Sequence, residues 1–168
     1  NYLQAYLGTM TWGGNKRQKI AMWIGTGSNG KSTVMQLVQK ALGEYYHNPK
    51  TGMFCERGQR NQGGGEASPQ LLAIKSKYAL LVEEPESTDR LATGLLKQIV
   101  GGGELVGRNL FSNKQQSFKI GAKITLAANT LPEYFDSSKG MERRLEVVNW
   151  PFELTEANKD PEFEEKMS

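Results

Sequence analysis

"IAMWIGTGSNGKSTVMQLVQKAL", residues 20–42, decides the fold. Its first five residues are all apolar, which suits a short strand buried on both faces. Its last twelve set Val34, Leu37, Val38 and Leu42 on one helical face, and Gly43 stops the pattern. Between the two, Gly25, Gly30, Lys31 and Ser32 match G-x-x-x-x-G-K-[ST]. Glycines let the backbone turn tightly, so that successive N–H groups point at phosphate oxygens. The N-terminus of the following helix adds partial positive charge at the same place. Lys31 is expected to reach the β- and γ-phosphates, and the Ser32 hydroxyl to ligate Mg²⁺. Thr26, Gly27, Ser28, Asn29 and Thr33 complete the expected contacts to ATP. A strand before the motif and a helix after it are what this mechanism requires.

The rest of the chain is read outward from that loop. Its 168 residues suit one domain, divided as the end of a helical segment (1–12), an ATPase core (13–154) and a polar tail (155–168). Charged residues at 23% and apolar residues at 38% fit an ordered soluble protein. No apolar run approaches the roughly 18 residues that cross a membrane. The chain lacks an initiating Met and a secretory signal, so the expectation is an intracellular piece of a longer protein. A single cysteine, Cys55, allows no internal disulfide and no cysteine-based metal site, which points to a reducing compartment. The single histidine, His47, is expected at the surface. A net charge of +3 is compatible with nucleic acid without arguing for it.

Along the chain, residues 1–8 read as the end of a short helix and residues 16–19 as a basic turn. Residues 54–66 are rich in Gly, Gln and Arg and read as a loop, in which Arg57 and Arg60 are weak candidates for DNA contact. A short helix is expected over 69–74, then a strand over 78–84 that Pro85 ends. Residues 88–100 read as a helix, 104–111 and 115–120 as a hairpin, 123–129 as a third core strand, and 143–148 as a late strand. The tail from Thr155 is acidic and polar and is expected to fray. Strands alternating with helices, and near-continuously apolar, imply an α/β fold with a mostly parallel sheet between helices.

Hydrolysis of a triphosphate needs an acid to hold Mg²⁺ and a group to orient water. Glu83 and Glu84 end the apolar run "ALLV", at the sheet edge where open α/β folds bind ligands. Glu83 is assigned to the Mg²⁺ shell and Glu84 to the attacking water, with the roles open to exchange; Glu86 is a weaker candidate. Asn129 ends "ITLAAN" and could hydrogen-bond the γ-phosphate, as an alternative to simply starting a turn.

In order, "GTGSNGKST", "YALLVEE", "LLKQIVGGGELVGRNLF", "KITLAANTLP" and "ERRL" resemble the superfamily 3 helicase domain, and within it the primase–helicases of large DNA viruses, phages and mobile elements. The resemblance covers residues 2–152, with Asn29 and "NTLP" as its more specific features. It implies a modified AAA+ core with an inserted β-hairpin, a hexameric ring, and 3′ to 5′ translocation on single-stranded DNA during replication. It implies the acidic pair and the Asn129 sensor, and an arginine finger at Arg143 or Arg144, with Arg144 preferred, serving the neighbouring subunit. It places Ser112, Asn113, Lys114 and Gln115 at the tip of a pore hairpin. There Lys114, with Asn113, would meet the DNA backbone, and no aromatic residue is expected for stacking. Lys119 and Lys123 read as ordinary strand lysines. A primase domain in the same parent chain is a further implication, as is the host cytoplasm as location if the source is viral or phage. Two competitors are an ATP-switched, origin-melting initiator with slow turnover and a P-loop small-molecule kinase.

Overall fold

A computed structural model describes residues 2–56, 68–83, 90–134, 138–158, 160 and 162–166. Glu84, Glu86, Arg57 and Arg60 lie outside the described residues.

The apolar runs became the strands of one sheet. β1 (Ile20–Ile24), β2 (Tyr46–His47), β3 (Ala79–Glu83), β6 (Lys123–Ala128) and β7 (Leu145–Asn149) assemble in the order β2-β3-β6-β1-β7. Every pairing is parallel. The connections between strands carry α2 (Lys31–Leu42), α3 (Pro69–Ala73), α4 (Thr93–Val100) and α5 (Lys139–Glu142), while α1 (Tyr2–Thr9) precedes β1 and α6 (Phe163–Lys166) follows β7. A separate antiparallel hairpin joins β4 (Glu104–Arg108) to β5 (Gln115–Lys119).

Strand alternation divides the core into two layers. Ala21, Trp23, Ala79 and Leu81 face Tyr6 and Met10 near α1 and Met35 and Val38 of α2. Met22, Leu80, Val82 and Ile124 face the other way, against Leu96 and Ile99 of α4 and the hairpin's Leu105 and Phe118. Helix α2 is amphipathic and ends at Gly43, whose φ of 51° and N–H bond to the Gln39 carbonyl close its last turn.

Several boundaries differ from the sequence reading. Helix α4 starts at Thr93 rather than 88: Leu91 N–H bonds the Glu133 carbonyl and Ala92 N–H bonds the Phe54 carbonyl, which holds this stretch extended. Strand β4 ends at Arg108 rather than Phe111, and β7 starts after both arginines. His47 is half-buried, and burial together with nearby Lys77 pushes its pKa down. Lys123 is no ordinary strand lysine. It is buried, its Nζ donates to the Trp12 carbonyl and lies 5.6 Å from the centre of the Trp12 ring, and burial lowers its pKa. The expected fraying from Thr155 is also corrected in part, because Thr155 N–H bonds the Asn158 Oδ1 at 2.6 Å and Leu154 is tied to the loop after β1.

Candidate nucleotide site

In a parallel sheet all strands end at the same edge. The pairings Trp23↔Ala127 and Glu83↔Ala127 align β1, β6 and β3, so residues 25–33, Glu83 and Asn129 emerge side by side. Residues 27–33, Glu83 and Asn129 line one cavity of about 340 Å³. Of the residues singled out in the sequence, the structure brings together Gly27 to Thr33, Glu83 and Asn129, while Gly25 and Thr26 are not part of the cavity lining.

The loop is built to be tight. Gly30 sits at φ 82°, a left-handed conformation that favours glycine, and immediately precedes α2. Ser28 also has positive φ, at 50°. A Cβ added at Gly25 would lie 2.5 Å from the Trp150 carbonyl oxygen and closer still to the Asn29 amide nitrogen. Lys31 is 8% exposed, and its Nζ donates to the Gly25 carbonyl at 2.6 Å and to Asn29 Oδ1 at 2.9 Å. Asn29 thus holds the lysine over the loop, which gives a mechanical reason for an amide at this position.

The donor set fits a magnesium nucleotide. The lining residues can supply loop N–H groups and the Lys31 ammonium for phosphate, with the Ser32 hydroxyl and the Glu83 carboxylate as hard oxygen donors. Among the described residues no cluster of three or more His, Cys, Asp or Glu could hold a metal. A Mg²⁺ here would therefore take most of its ligands from phosphate and water, as this ion commonly does. Glu83 is exposed, and its backbone carbonyl accepts the Thr51 hydroxyl at 2.7 Å, which fixes the strand end.

Three contributors escaped the sequence reading. Thr51 is one. Leu154 and Glu156 are the others: the chain after β7 folds back, Trp150 N–H bonds the Ile24 carbonyl at 2.7 Å, and Leu154 N–H bonds the Ser28 carbonyl at 2.5 Å. Both residues line the phosphate cavity. No local signal in "PFELTEANKD" announces this, because the bonds join segments over a hundred residues apart.

The arginines do not join this site. Arg144 immediately precedes β7, and its carbonyl accepts the N–H of Ile20, the first residue of β1. Both arginines thus lie at the start of the strands, while the phosphate loop follows their end. Five residues of strand separate the edges, about 16 Å at the usual rise. Arg143 is exposed. Arg144 is half-buried, its Nη1 donates to the Gly140 carbonyl at 2.5 Å, and burial with Arg143 nearby lowers its pKa.

At the hairpin tip, Asn113 and Lys114 are exposed as expected. The expectation of a tip without an aromatic is corrected. With β4 ending at Arg108, Leu110 and Phe111 belong to the tip, Phe111 is 104% exposed, and its φ is 58°. A left-handed conformation is unusual for so bulky a residue.

No protein-family model matches the chain. In sequence it is 31% identical over 99% of its length to a protein of Acanthamoeba polyphaga mimivirus that carries the name helicase L207/L206. It is 30% identical over 85% of its length to one from Frog virus 3 named helicase 022R. It is 29% identical over 76% of its length to the African swine fever virus protein named primase C962R. The chain spans only 17%, 14% and 13% of these proteins. Among solved structures it matches the C-terminal region of NrS-1 with a TM-score of 0.62 and 17% identity, over 90% of this chain and 33% of that one. Among the described residues no helix is long and apolar enough to cross a membrane. The chain is an α/β protein with a parallel sheet between helices, similar in sequence to helicase- and primase-named proteins of large DNA viruses, in agreement with the superfamily 3 resemblance of its motifs.

Proposed function

We propose that this chain is the ATPase core of a DNA helicase motor for viral, phage or mobile-element replication, hydrolysing ATP between the subunits of a hexameric ring that moves on single-stranded DNA. One observation carries the reading. The phosphate loop, Glu83 and Asn129 share one cavity at the ends of the strands, while Arg143 and Arg144 sit at the opposite edge of the same sheet.

The chain's own residues divide the work. Loop N–H groups and Lys31 bind the β- and γ-phosphates, which requires Lys31 to leave the Gly25 carbonyl for the nucleotide. Ser32 and Glu83 would hold Mg²⁺, which when bound neutralises charge building on the phosphate oxygens. Asn129 accepts or donates at the γ-phosphate end and orients water. Glu84, outside the described residues, keeps its assignment as partner to that water. An arginine from the next subunit completes the site, and such fingers are worth roughly 10³ to 10⁵ in rate. Exposure favours Arg143 within the pair, since Arg144 is committed to the Gly140 carbonyl. Lys114 and Asn113 would grip the DNA backbone, a contact without sequence preference.

The test is ATP hydrolysis per subunit across protein concentrations, with and without single-stranded DNA, using protein that carries the preceding helical segment. Specific activity should rise with concentration and with DNA, and fall in Arg143→Ala or Arg144→Ala. Activity indifferent to all of these would sink the shared site. Strand displacement by the same preparation separates a motor from an initiator.

A further inference from the structure

The phosphate cavity continues past the first turn of α2 into a second cavity of about 720 Å³. Gly30, Thr33, Leu154 and Glu156 line both. The second is walled by Val34 and Leu37 of α2, by Trp150, and by Leu154 and Phe163 from the segment after β7. Leu37, Leu154 and Phe163 are 37%, 37% and 43% exposed. Three large apolar side chains left open to solvent around one concavity mark a place where an apolar surface docks.

The direction of a bound nucleotide follows from the loop. Lys31 and Ser32 take the β- and γ-phosphates, and Glu83 and Asn129, which belong to the γ end, line only the first cavity. The α-phosphate and everything attached to it must therefore leave from the other end, past Thr33. That end opens on Val34 and Leu37. The far wall is fixed relative to the loop, because Trp150 N–H bonds the Ile24 carbonyl and Leu154 N–H bonds the Ser28 carbonyl.

We propose that Val34, Leu37, Trp150, Leu154 and Phe163 form the nucleoside pocket of this ATPase, taking the purine base between α2 and the segment after β7. This rests on the nucleotide reading of the loop. Two acceptors at the rim are already engaged: Asp160 accepts from Glu162 N–H and from Lys166, each at 3.0 Å, and Asn158 Oδ1 accepts from Thr155 N–H. The apolar walls, rather than hydrogen bonds to the base edge, supply the affinity.

The experiment compares calorimetric binding of Mg²⁺-ATP and of Mg²⁺-tripolyphosphate, which has the phosphates and no nucleoside, to the wild type, to Phe163→Ala and to the double variant Leu37→Ala, Phe163→Ala, neither residue of which lines the phosphate cavity. The double variant should bind ATP about 10-fold or more weakly and tripolyphosphate as the wild type does. Retained tripolyphosphate binding also shows that the variant is folded. ATP affinity equal to wild type in both variants would overturn the pocket and assign these side chains to a protein contact instead. A wild type that binds neither ligand would overturn the nucleotide reading itself, a distinguishable failure.

Discussion

Gly25→Ala and Gly27→Ala differ by one methyl group in one loop, and the geometry separates them. At Gly25 the new Cβ would sit 2.5 Å from the Trp150 carbonyl oxygen, 3.0 Å from the Trp150 Cβ, and closer still to the Asn29 amide nitrogen. None of these yields easily. Trp150 is tied to Ile24 at 2.7 Å, Gly25 N–H is tied to the Ala128 carbonyl at 3.2 Å, and Asn29 holds Lys31 at 2.9 Å. Overpacking of this kind costs about 1–3 kcal/mol. Each kcal/mol moves the melting temperature of a chain this size by about 2–4 °C, so Gly25→Ala should melt about 5 °C lower. Relief by pushing Asn29 aside would also release Lys31, and ATP should bind more than about 10-fold more weakly, since about 1.4 kcal/mol is tenfold. At Gly27 an added Cβ meets nothing within 4 Å. Its φ lies outside the left-handed range, so alanine should change stability by less than about 0.5 kcal/mol. Scanning calorimetry and ATP titration of both variants decide the matter. Equal melting temperatures and equal affinities would refute the claim that the chain after β7 closes down on Gly25.

Three further outcomes are expected. Glu83→Gln should lower kcat by about 10² to 10⁴ with ATP binding retained, and a raised Mg²⁺ requirement in the same assay would place Glu83 in the metal shell rather than at the water. On single-stranded DNA, Lys114→Ala should reduce the slope of log affinity against log salt by about 1, while Phe111→Ala should weaken binding by about 1–3 kcal/mol with the slope unchanged; a Phe111 variant that binds as wild type removes it from the interface. Burial raises the Tyr6 pKa above its ordinary 10.0, so its contribution to stability is complete below pH 10 and is lost as pH rises through the folded-state value; Tyr6→Phe should lose about 1 kcal/mol near pH 7 with the Thr125 hydrogen bond and show a shallower alkaline decline, and parallel curves would refute this.

The sheet and its loaded edge were legible because their signals are local. An apolar run of five, a glycine loop and a helical stripe sit within 23 consecutive residues, and Glu83 and Asn129 each terminate an apolar run. What escaped is set by contacts between distant segments. "ELVGRNLF" reads as an unbroken strand, yet pairing with β5 stops at Arg108, where Ser68 bonds its backbone and its guanidinium closes the turn on the Ser112 carbonyl at 3.1 Å. That leaves Phe111 outside. Lys123 looks like any strand lysine until the end of the first helical segment brings the Trp12 carbonyl to it. The polar tail looks loose until Leu154 bonds Ser28.

The separation of the two sheet edges constrains any oligomer that uses both. Arg143 and Arg144 stand about 16 Å from the phosphate loop of their own chain, across β1 and β7. If either stabilises phosphate charge, it does so for a neighbour, and the contact joins the arginine edge of one subunit to the nucleotide edge of the next. Such head-to-tail contacts close into rings when the rotation allows and extend into filaments when it does not. Catalysis and assembly are then one property of the same interface. Mixing subunits that carry Lys31→Ala with subunits that carry both Arg143→Ala and Arg144→Ala tests this, because each is inactive by itself. A shared site regains activity wherever an intact Lys31 meets an intact arginine pair from the next subunit. A self-sufficient site regains none at any ratio.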